Sequence, residues 1–390
     1  MLALHDAADG RLARVRVPGG RLSAEAMRTL ATAAEELGNG LLDVTGRANL
    51  QLRGLRDGAD VAGELAARLH GAGLLDSVAD DRAPTVLASP LAGRAPGARD
   101  GVDDIVALLD AGLCASDTLR DLPGRFCVLA DDGTGAGREI RPDVIVVARG
   151  AGRFGVALDG RELAFEGDGP AAVAVALDAA AAFVAAGGDA WRLSETPGGA
   201  GTIAAVLGLA LAPVTPAVRT RTFGPGAVSQ RDGRVALTAL VPLGQLWPAL
   251  LRALAELRPE ARLSARRTVT LVDVDVAAVP STRAALAEAG LVLAAGSGWV
   301  GLTACAGTGA CARALLDVRA AACARALTRS ALEPAEHWAG CERRCGELPA
   351  TPVSVAVAAV DVVEVRYHGD TWHLPSLASA TARLELEAAR

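Results

Sequence analysis

The sequence predicts an α+β fold that contains two copies of one small module. Two observations predict this class. Strand and helix patterns alternate near the N-terminus, and the same plan recurs about 220 residues later. The two copies suggest a core with pseudo-twofold symmetry, and other elements lie between and after them.

The first copy reads as strand, helix, strand, helix. Leu12–Pro18 alternates apolar and basic residues, which is the period of a half-buried strand. Ser23 is a suitable N-cap for a helix that carries apolar residues at helical spacing up to Leu37. Thr45–Leu52 alternates again, and Val61–His70 predicts the closing helix. This order is typical of a split βαβ module.

The second copy repeats these signals. Pro18–Leu22 corresponds to Pro242–Leu246, and each segment precedes a predicted helix. The strand Thr45–Leu52 aligns without gaps to Ser264–Leu271, and a helix near 282–289 completes the plan. The remaining segments predict helices at 102–113, 171–186, 202–211 and 310–327, a strand at 126–130, a strand–turn–strand at 143–165, and a proline-marked linker through Pro213, Pro216 and Pro225.

The composition excludes several classes of protein. All 39 basic residues are arginine, and the net charge of -6 argues against a general nucleic-acid binder. The first ten residues lack the basic start of a secretory signal. The run Ala171–Gly188 is too weakly hydrophobic to span a bilayer. We therefore expect a soluble, cytoplasmic protein without a nucleic-acid or membrane partner.

Four of the seven cysteines form two close pairs. Five residues separate Cys305 from Cys311, and three separate Cys341 from Cys345. Four thiolates close either an iron–sulfur or a zinc site, and the longer loop suits a bulky inorganic cube better than zinc. A helix from Ala310 would place Cys311 at its N-terminus, where the dipole favours thiolate. We predict a [4Fe–4S] cluster; the alternative is four unrelated buried cysteines.

The segments TACAGTGAC and GCERRCG resemble the [4Fe–4S] signature of the sulfite and nitrite reductase superfamily. RVRVPGG and TGRANLQLRG resemble its ferredoxin-like half-domain. The resemblance implies half-domains of this kind at 1–75 and 216–292, a central α/β domain at 76–215, and a cluster-binding domain at 293–390. In that superfamily the cysteine that matches Cys345 also bridges to the iron of sirohaem.

The sequence departs from the sulfite reductases in two places. Arg125 and Cys127 stand where those enzymes carry two basic residues, and Pro84-Thr85 stands where they carry Arg-Asn. The segments ASPLAG and LPGRF, the second followed by a DDG turn, resemble the precorrin-3B synthase branch, which acts in aerobic cobalamin biosynthesis. The resemblance does not extend to the cysteine-bearing leader that usually precedes the first strand.

That branch implies precorrin-3A as the substrate, a tetrapyrrole with many carboxylates. Arginine suits such a ligand because its planar fork binds carboxylate in a bidentate way. The family positions favour as substrate contacts Arg16, Arg47, Asn49, Gln51 and Arg125, with Arg266 in the second copy. For Arg14 and Arg53 we expect an ordinary solvated strand face.

The resemblance implies an O2-dependent monooxygenase that hydroxylates precorrin-3A and closes a lactone to give precorrin-3B. Electrons would come from a separate donor that uses NADH, since no G-x-G-x-x-G follows a predicted strand. The branch also implies mononuclear non-haem iron, for which the sequence indicates no ligands, and no catalytic residue is predicted. One alternative is a ferredoxin-dependent sulfite or nitrite reductase with sirohaem. Another is a non-catalytic, cluster-bearing protein that binds tetrapyrrole or transfers electrons.

Overall fold

Four five-stranded β-sheets organise the chain in a computed structural model. The structure describes residues 2–58, 60–77, 81–186, 188–213, 221–348 and 351–389. Two sheets belong to the repeated module, and one further sheet follows each copy. The predicted α+β class with a duplicated core is confirmed.

The first copy has the predicted order of elements. They are β1 (Leu4–Ala7), β2 (Gly10–Val15), β3 (Arg21–Ser23), α1 (Ala24–Leu37), β4 (Leu42–Val44), β5 (Leu50–Leu55) and α2 (Val61–Gly71). Ser23 caps α1, because its Oγ accepts a hydrogen bond from the Ala26 N–H at 3.0 Å. Met27 and Leu30 on the apolar face of α1 are fully buried, so the helical period in the sequence marks the core face.

The central module follows the first copy. It contains β6 (Thr85–Ala88), α3 (Val102–Ala115), α4 (Asp117–Arg120), β7 (Cys127–Asp131), β8 (Val144–Gly150), β9 (Arg153–Leu158), β10 (Arg161–Gly167), α5 (Gly169–Ala186) and α6 (Gly199–Val206). The predicted strand–turn–strand region therefore holds three strands. The helix predicted over 202–211 begins earlier and ends at Val206, where the chain turns at Leu207 and Gly208. The linker residue Pro216 lies outside the described residues.

The second copy repeats the plan of the first. Its elements are β11 (Gly226–Ser229), β12 (Val235–Leu240), β13 (Gln245–Leu246), α7 (Pro248–Leu257), β14 (Glu260–Leu263), β15 (Thr268–Val274) and α8 (Val279–Glu288). The N–H groups of Thr45 and Ser264 donate to the carbonyls of Asn49 and Thr268, at 2.8 and 3.0 Å. These matching hydrogen bonds confirm the gap-free alignment of the two turns.

Each copy gives one strand to the sheet of the other. β13 pairs with β4, and β3 pairs with β14, both antiparallel. Sheet 1 therefore runs β1-β2-β5-β4-β13, and sheet 2 runs β11-β12-β15-β14-β3. Leucines of α1 and α7 are buried in one hydrophobic core that both copies share. The two copies are thus interlocked rather than merely adjacent.

The C-terminal module follows the second copy. It contains β16 (Leu302–Ala304), α9 (Val318–Thr328), β17 (Glu336–Ala339), β18 (Val353–Ala359), β19 (Val362–Tyr367), β20 (Asp370–Leu374) and α10 (Leu377–Ala388). The prediction of a helix over 310–327 is wrong at its start. Asp317 accepts a hydrogen bond from the Ala320 N–H at 3.0 Å and so caps α9, which begins eight residues later than expected.

The central and C-terminal modules share one sheet topology. Sheet 3 runs β6-β7-β8-β9-β10, and sheet 4 runs β16-β17-β18-β19-β20. In both, the first three strands are parallel and the last two pair antiparallel. This second duplication is not visible in the sequence patterns, which indicate only intervening material there.

One helix of the described residues, α5, is long and apolar enough to cross a membrane by length and composition alone. Its buried residues include Ala172, Ala176, Ala180 and Phe183, which belong to the core of the central module. The Phe183 ring lies 5.1 Å from that of Phe126, between centroids. In this structure α5 therefore covers sheet 3.

Candidate functional site

The first cysteine of each pair follows a strand of sheet 4. Cys305 comes directly after β16, and Cys341 follows β17 after one glycine. Because β16 and β17 are parallel neighbours, their carboxyl ends meet at one edge of the sheet. There the Gly340 N–H donates a hydrogen bond to Cys305 Sγ at 3.2 Å.

The second cysteine of each pair lies on a loop that returns to this edge. Burial raises the pKa of the Cys345 thiol, and the neighbouring thiols of Cys341, Cys305 and Cys311 raise it further. All four sulfur atoms therefore share one electrostatic environment. Cys311 does not lie at a helix N-terminus, since α9 begins at Val318, so the expected contribution of a helix dipole is wrong.

The assignment of the four cysteines to an iron–sulfur cluster stays a prediction from their spacing in the sequence. Within the described residues, no three His, Cys, Asp or Glu side chains converge closely enough to hold one metal ion. A tetrahedral zinc site needs thiolates in van der Waals contact, whereas a cube spreads its four ligands around its corners. The same observation means that the described residues indicate no ligands for a mononuclear iron.

Two arginines missed by the sequence reasoning hold the loop between Cys305 and Asp317. Arg319 donates to the carbonyl of Cys305 at 3.0 Å and pairs with Asp43 at 2.9 Å. Arg53 donates to the carbonyl of Ala310 at 2.7 Å. Arg53 joins the loop to the first copy directly, and Arg319, which lies on α9, joins it there through Asp43.

Arg53 is therefore not part of a solvated strand face. It is 3% exposed and pairs with Asp9 at 2.9 Å. The alternation of its strand suggested the opposite because the sequence does not show that another module covers this face.

A cleft of about 670 Å3 lies beside the cysteines. Both repeated turns line it, the first through Gly46 and the second through residues 265–268. The C-terminal module contributes Thr303, which lies two residues before Cys305, and Gly346, which follows Cys345. The cleft thus places the tips of both turns against the cysteine-bearing edge.

His337 lies below this cleft and is completely buried. Its Nδ1 is 2.9 Å from Thr303 Oγ1, and its Nε2 has no hydrogen-bond partner within the described residues. Burial lowers the pKa of His337 to about 3, so the ring is neutral at pH 7. A Cβ on Gly346 would lie 3.7 Å from His337 Cε1, so the ring packs beside the loop that carries Cys345.

Arg47 and Arg125 form a basic group where the first turn meets the central module. Arg47 donates to the carbonyl of Gly124, and the Arg125 guanidinium lies 5.2 Å from the centre of the Trp191 ring. Burial lowers the pKa of Arg47, and the charges of Arg192 and Arg125 lower it further. Cys127 and Asp143 act in the opposite direction, and Asp143 is paired with Arg192 at 3.0 Å, so the surplus positive charge of this group is that of Arg47 and Arg125.

Cys127 lies beside this basic group and carries no charge. It is fully buried, and burial raises the pKa of its thiol to about 12. Its N–H donates to Asp143 at 2.9 Å, and Asp143 pairs with Arg192 at 3.0 Å. The position that is basic in the reductases is therefore neutral here.

Three other predicted contacts have side-chain bonds within the protein, whereas the Gln51 side chain has no hydrogen bond among the described residues. Arg16 pairs with Asp110 and donates to the carbonyl of Pro84 at 3.2 Å. Asn49 accepts from the Val17 N–H at 3.0 Å and donates to Thr85 at 2.8 Å. Arg266 pairs with Glu139 at 3.2 Å, and Gln51 is half-buried on β5. The structure brings Arg47 and Arg125 together and places Arg266 at the cleft.

Comparisons with known proteins agree with this architecture. Residues 5–69 match the nitrite/sulfite reductase ferredoxin-like half domain. A stretch of 47 residues is 53% identical to a precorrin-3B synthase from a Sinorhizobium species; it covers 12% of this chain and 10% of that protein. The structure of the Mycobacterium tuberculosis NirA protein superposes with a TM-score of 0.77, at 18% identity, over 96% of this chain and 79% of that one.

The half-domain match falls on the first copy of the module, and the structural match extends over both copies and both further sheets. Residues 5–69 thus match the nitrite/sulfite reductase ferredoxin-like half domain, and the whole chain has the duplicated ferredoxin-like fold of the NirA protein.

Proposed function

We propose that the protein is an oxidoreductase of the precorrin-3B synthase type. It hydroxylates precorrin-3A with O2 and closes a lactone to give precorrin-3B, with electrons from a separate donor that uses NADH. The observation that carries the proposal is the 53% identity to a precorrin-3B synthase over 47 residues. The cytoplasm is the proposed location.

The four cysteines would hold a [4Fe–4S] cluster. Its supporting observations are the shared environment of the thiols and the N–H bond to Cys305 Sγ. Such a cluster supplies one-electron transfer to the neighbouring cleft when it is bound. Arg319 and Arg53 keep its long loop in place through two backbone carbonyls.

The chain's own residues would bind and orient the substrate through its carboxylates. Arg47 and Arg125 offer positive charge where the first turn meets the central module, whereas Arg266 lies at the cleft and is paired with Glu139. Each charge-assisted bond to a carboxylate contributes about 1.5–3 kcal/mol when it is shielded from water. Asn49 and Arg16 would act indirectly, since their bonds to Thr85 and Pro84 hold the turn against the central module.

A sulfite or nitrite reductase with sirohaem is the second candidate. The structural likeness to the NirA protein and the pair Arg47–Arg125 favour it. Cys127, which is neutral, and Pro84 stand where the reductases carry basic residues. This argues against the second candidate, because reduction of a small oxyanion needs converging positive charge.

The test supplies anaerobically reconstituted protein with precorrin-3A, an electron source and isotopically labelled O2. We expect a product heavier by one oxygen atom, with that atom derived from O2, and negligible sulfide from sulfite with a strong artificial donor. Robust sulfide production would favour the second candidate. A tetrapyrrole product without the label would reject the monooxygenase reaction.

A further inference from the structure

Arg267 is a buried cation without a carboxylate of its own. It is 8% exposed, and its Nε donates to the Val44 carbonyl at a long 3.4 Å. Within the described residues it takes part in no ion pair. Two acidic groups raise its pKa: Asp43, which is already paired with Arg319 at 2.9 Å, and the thiol of Cys305. Burial lowers the pKa of Arg267 to about 10, which still leaves it charged at pH 7.

The surroundings of Arg267 are shaped to admit its side chain. A Cβ on Gly244 would lie 2.6 Å from Arg267 Cδ, and one on Gly346 would lie 3.1 Å from its Nη2. Both glycines therefore make room for the guanidinium. Its own backbone has a φ of 57°, a conformation that is strained for a residue with a side chain.

The repeat shows that the turn itself does not require this arginine. The equivalent residue of the first copy is Ala48, with a φ of 58° and the same hydrogen bond to the start of the turn. The second copy thus places a long cation where the first has a methyl group. A buried charge is costly unless it is paired, so a partner from outside the chain would offset that cost.

Arg267 lines the cleft beside the cysteines, together with Thr268, Thr303 and Gly346. We propose that its guanidinium is a carboxylate-binding subsite, which receives one acidic side chain of the tetrapyrrole next to Cys345. The inference rests on the proposed function and deepens it, because it names the residue that anchors the substrate on the cysteine side of the cleft. An arginine fork provides both charge and bidentate geometry for that role.

The experiment measures binding of two probes to the full-length protein. Uroporphyrin III carries eight carboxylates on a tetrapyrrole, and succinate carries two on a small chain. The variants are Arg267→Ala, which copies the first turn, and Arg267→Lys, which keeps the charge but not the fork. Arg283→Ala, at an exposed position of α8, is the matched control. Iron and sulfide content and circular dichroism check the fold, and Arg267→Gln replaces the alanine variant if that does not fold.

We expect Arg267→Ala to weaken uroporphyrin binding by roughly 10- to 100-fold, with partial recovery in Arg267→Lys and no change in Arg283→Ala. Equal affinity of the wild type and Arg267→Ala would overturn the subsite while leaving tetrapyrrole binding intact. Succinate binding that depends on Arg267, without uroporphyrin binding, would keep the subsite and reject the tetrapyrrole. Binding of neither probe to the wild type would reject both.

Discussion

At the scale of single residues, the four cysteines carry the clearest chemistry. Changing Cys311 to Ala should abolish cluster assembly and destabilise the C-terminal module, because metal bonds close the loop that Cys305 and Cys311 delimit. Iron and acid-labile sulfide, measured after anaerobic reconstitution, should fall to near zero. Cys323→Ala, at an exposed cysteine of α9, is the control and should retain both. Wild-type protein that holds stoichiometric zinc and no sulfide would contradict the cluster.

Arg47 is the arginine at which the first turn meets the central module. Arg47→Ala should weaken tetrapyrrole binding by about 1.5–3 kcal/mol and leave cluster content unchanged, because it removes one charge-assisted bond. Fluorescence quenching of uroporphyrin III measures the affinity. Arg14→Ala, on the neighbouring strand but exposed, should have little effect. Unaltered affinity in a folded Arg47 variant would mean that this face only contacts solvent.

Asp131 and Asp132 are adjacent acids of the central module, and replacing each by Asn should have opposite effects on the free energy of unfolding. Burial raises the pKa of Asp132, and its Oδ2 has no hydrogen-bond partner within the described residues. Asp131 instead pairs with Arg138 at 2.6 Å and accepts from the N–H groups of Gly133 and Gly135. A buried carboxylate without a second partner costs stability, whereas a paired one contributes it.

A carboxyl group whose pKa is higher in the folded than in the unfolded state favours folding at low pH. That contribution is lost as pH rises from the unfolded pKa, about 3.9, through the folded value. Asp132→Asn should therefore raise the free energy of unfolding at pH 7 and flatten its fall as the pH rises above the unfolded pKa of about 3.9. Asp131→Asn should lower it at pH 7. Urea denaturation at several pH values measures both, and a destabilised Asp132→Asn would contradict the assignment.

At the scale of elements, the exchange of strands depends on two close backbone approaches. Gly20 and Gly244 are equivalent residues of the two Pro-bearing turns. A Cβ on Gly20 would lie 2.2 Å from the Leu263 carbonyl oxygen, and one on Gly244 would lie 2.9 Å from that of Val44. Val44 and Leu263 are themselves equivalent, so each turn packs against the strand end of the other copy.

Gly20→Ala should therefore destabilise the protein by more than the cost of placing an alanine at a left-handed backbone position. Gly40→Ala is the matched control, since its φ of 80° is similar to the 72° of Gly20 but nothing lies within 4 Å of a Cβ there. The control should cost roughly 1–2 kcal/mol, and Gly20→Ala should cost more because the exchanged strand must shift. Thermal and urea unfolding measure the difference. Equal costs would show that the exchange does not depend on this contact.

At the scale of the whole molecule, two duplications have produced one asymmetric site. The carboxyl ends of β6 and β7 in sheet 3 correspond by topology to those of β16 and β17 in sheet 4. Cysteines follow the strands of sheet 4, whereas Ser89 and Asp132 follow those of sheet 3. The same architecture therefore provides two equivalent sheet edges. The cysteines make the edge of sheet 4 the one that suits a cluster. The domain limits remain predictions, since β3 and β13 pair across them.

The sequence by itself determined the strands and helices of the repeated module, its second copy, and the cysteine pairs. These signals are local: alternation, helical spacing and short motifs reflect which face of an element is buried. The start of α9 differs from the prediction because Asp317 caps the helix, whereas the alanine-rich sequence around it favours helix on both sides of that cap.

Only the tertiary structure decided which arginines are free. Arg16, Arg53 and Arg266 read alike on alternating strands, yet each is paired with an acid distant in sequence: Asp110, Asp9 and Glu139. Arg267 looks like a turn residue and is instead a buried charge at the cleft. Pairing of this kind depends on contacts between segments up to hundreds of residues apart, which periodicity does not encode. For that reason the chemistry of the cysteines could be predicted, and the charge of the cleft could not.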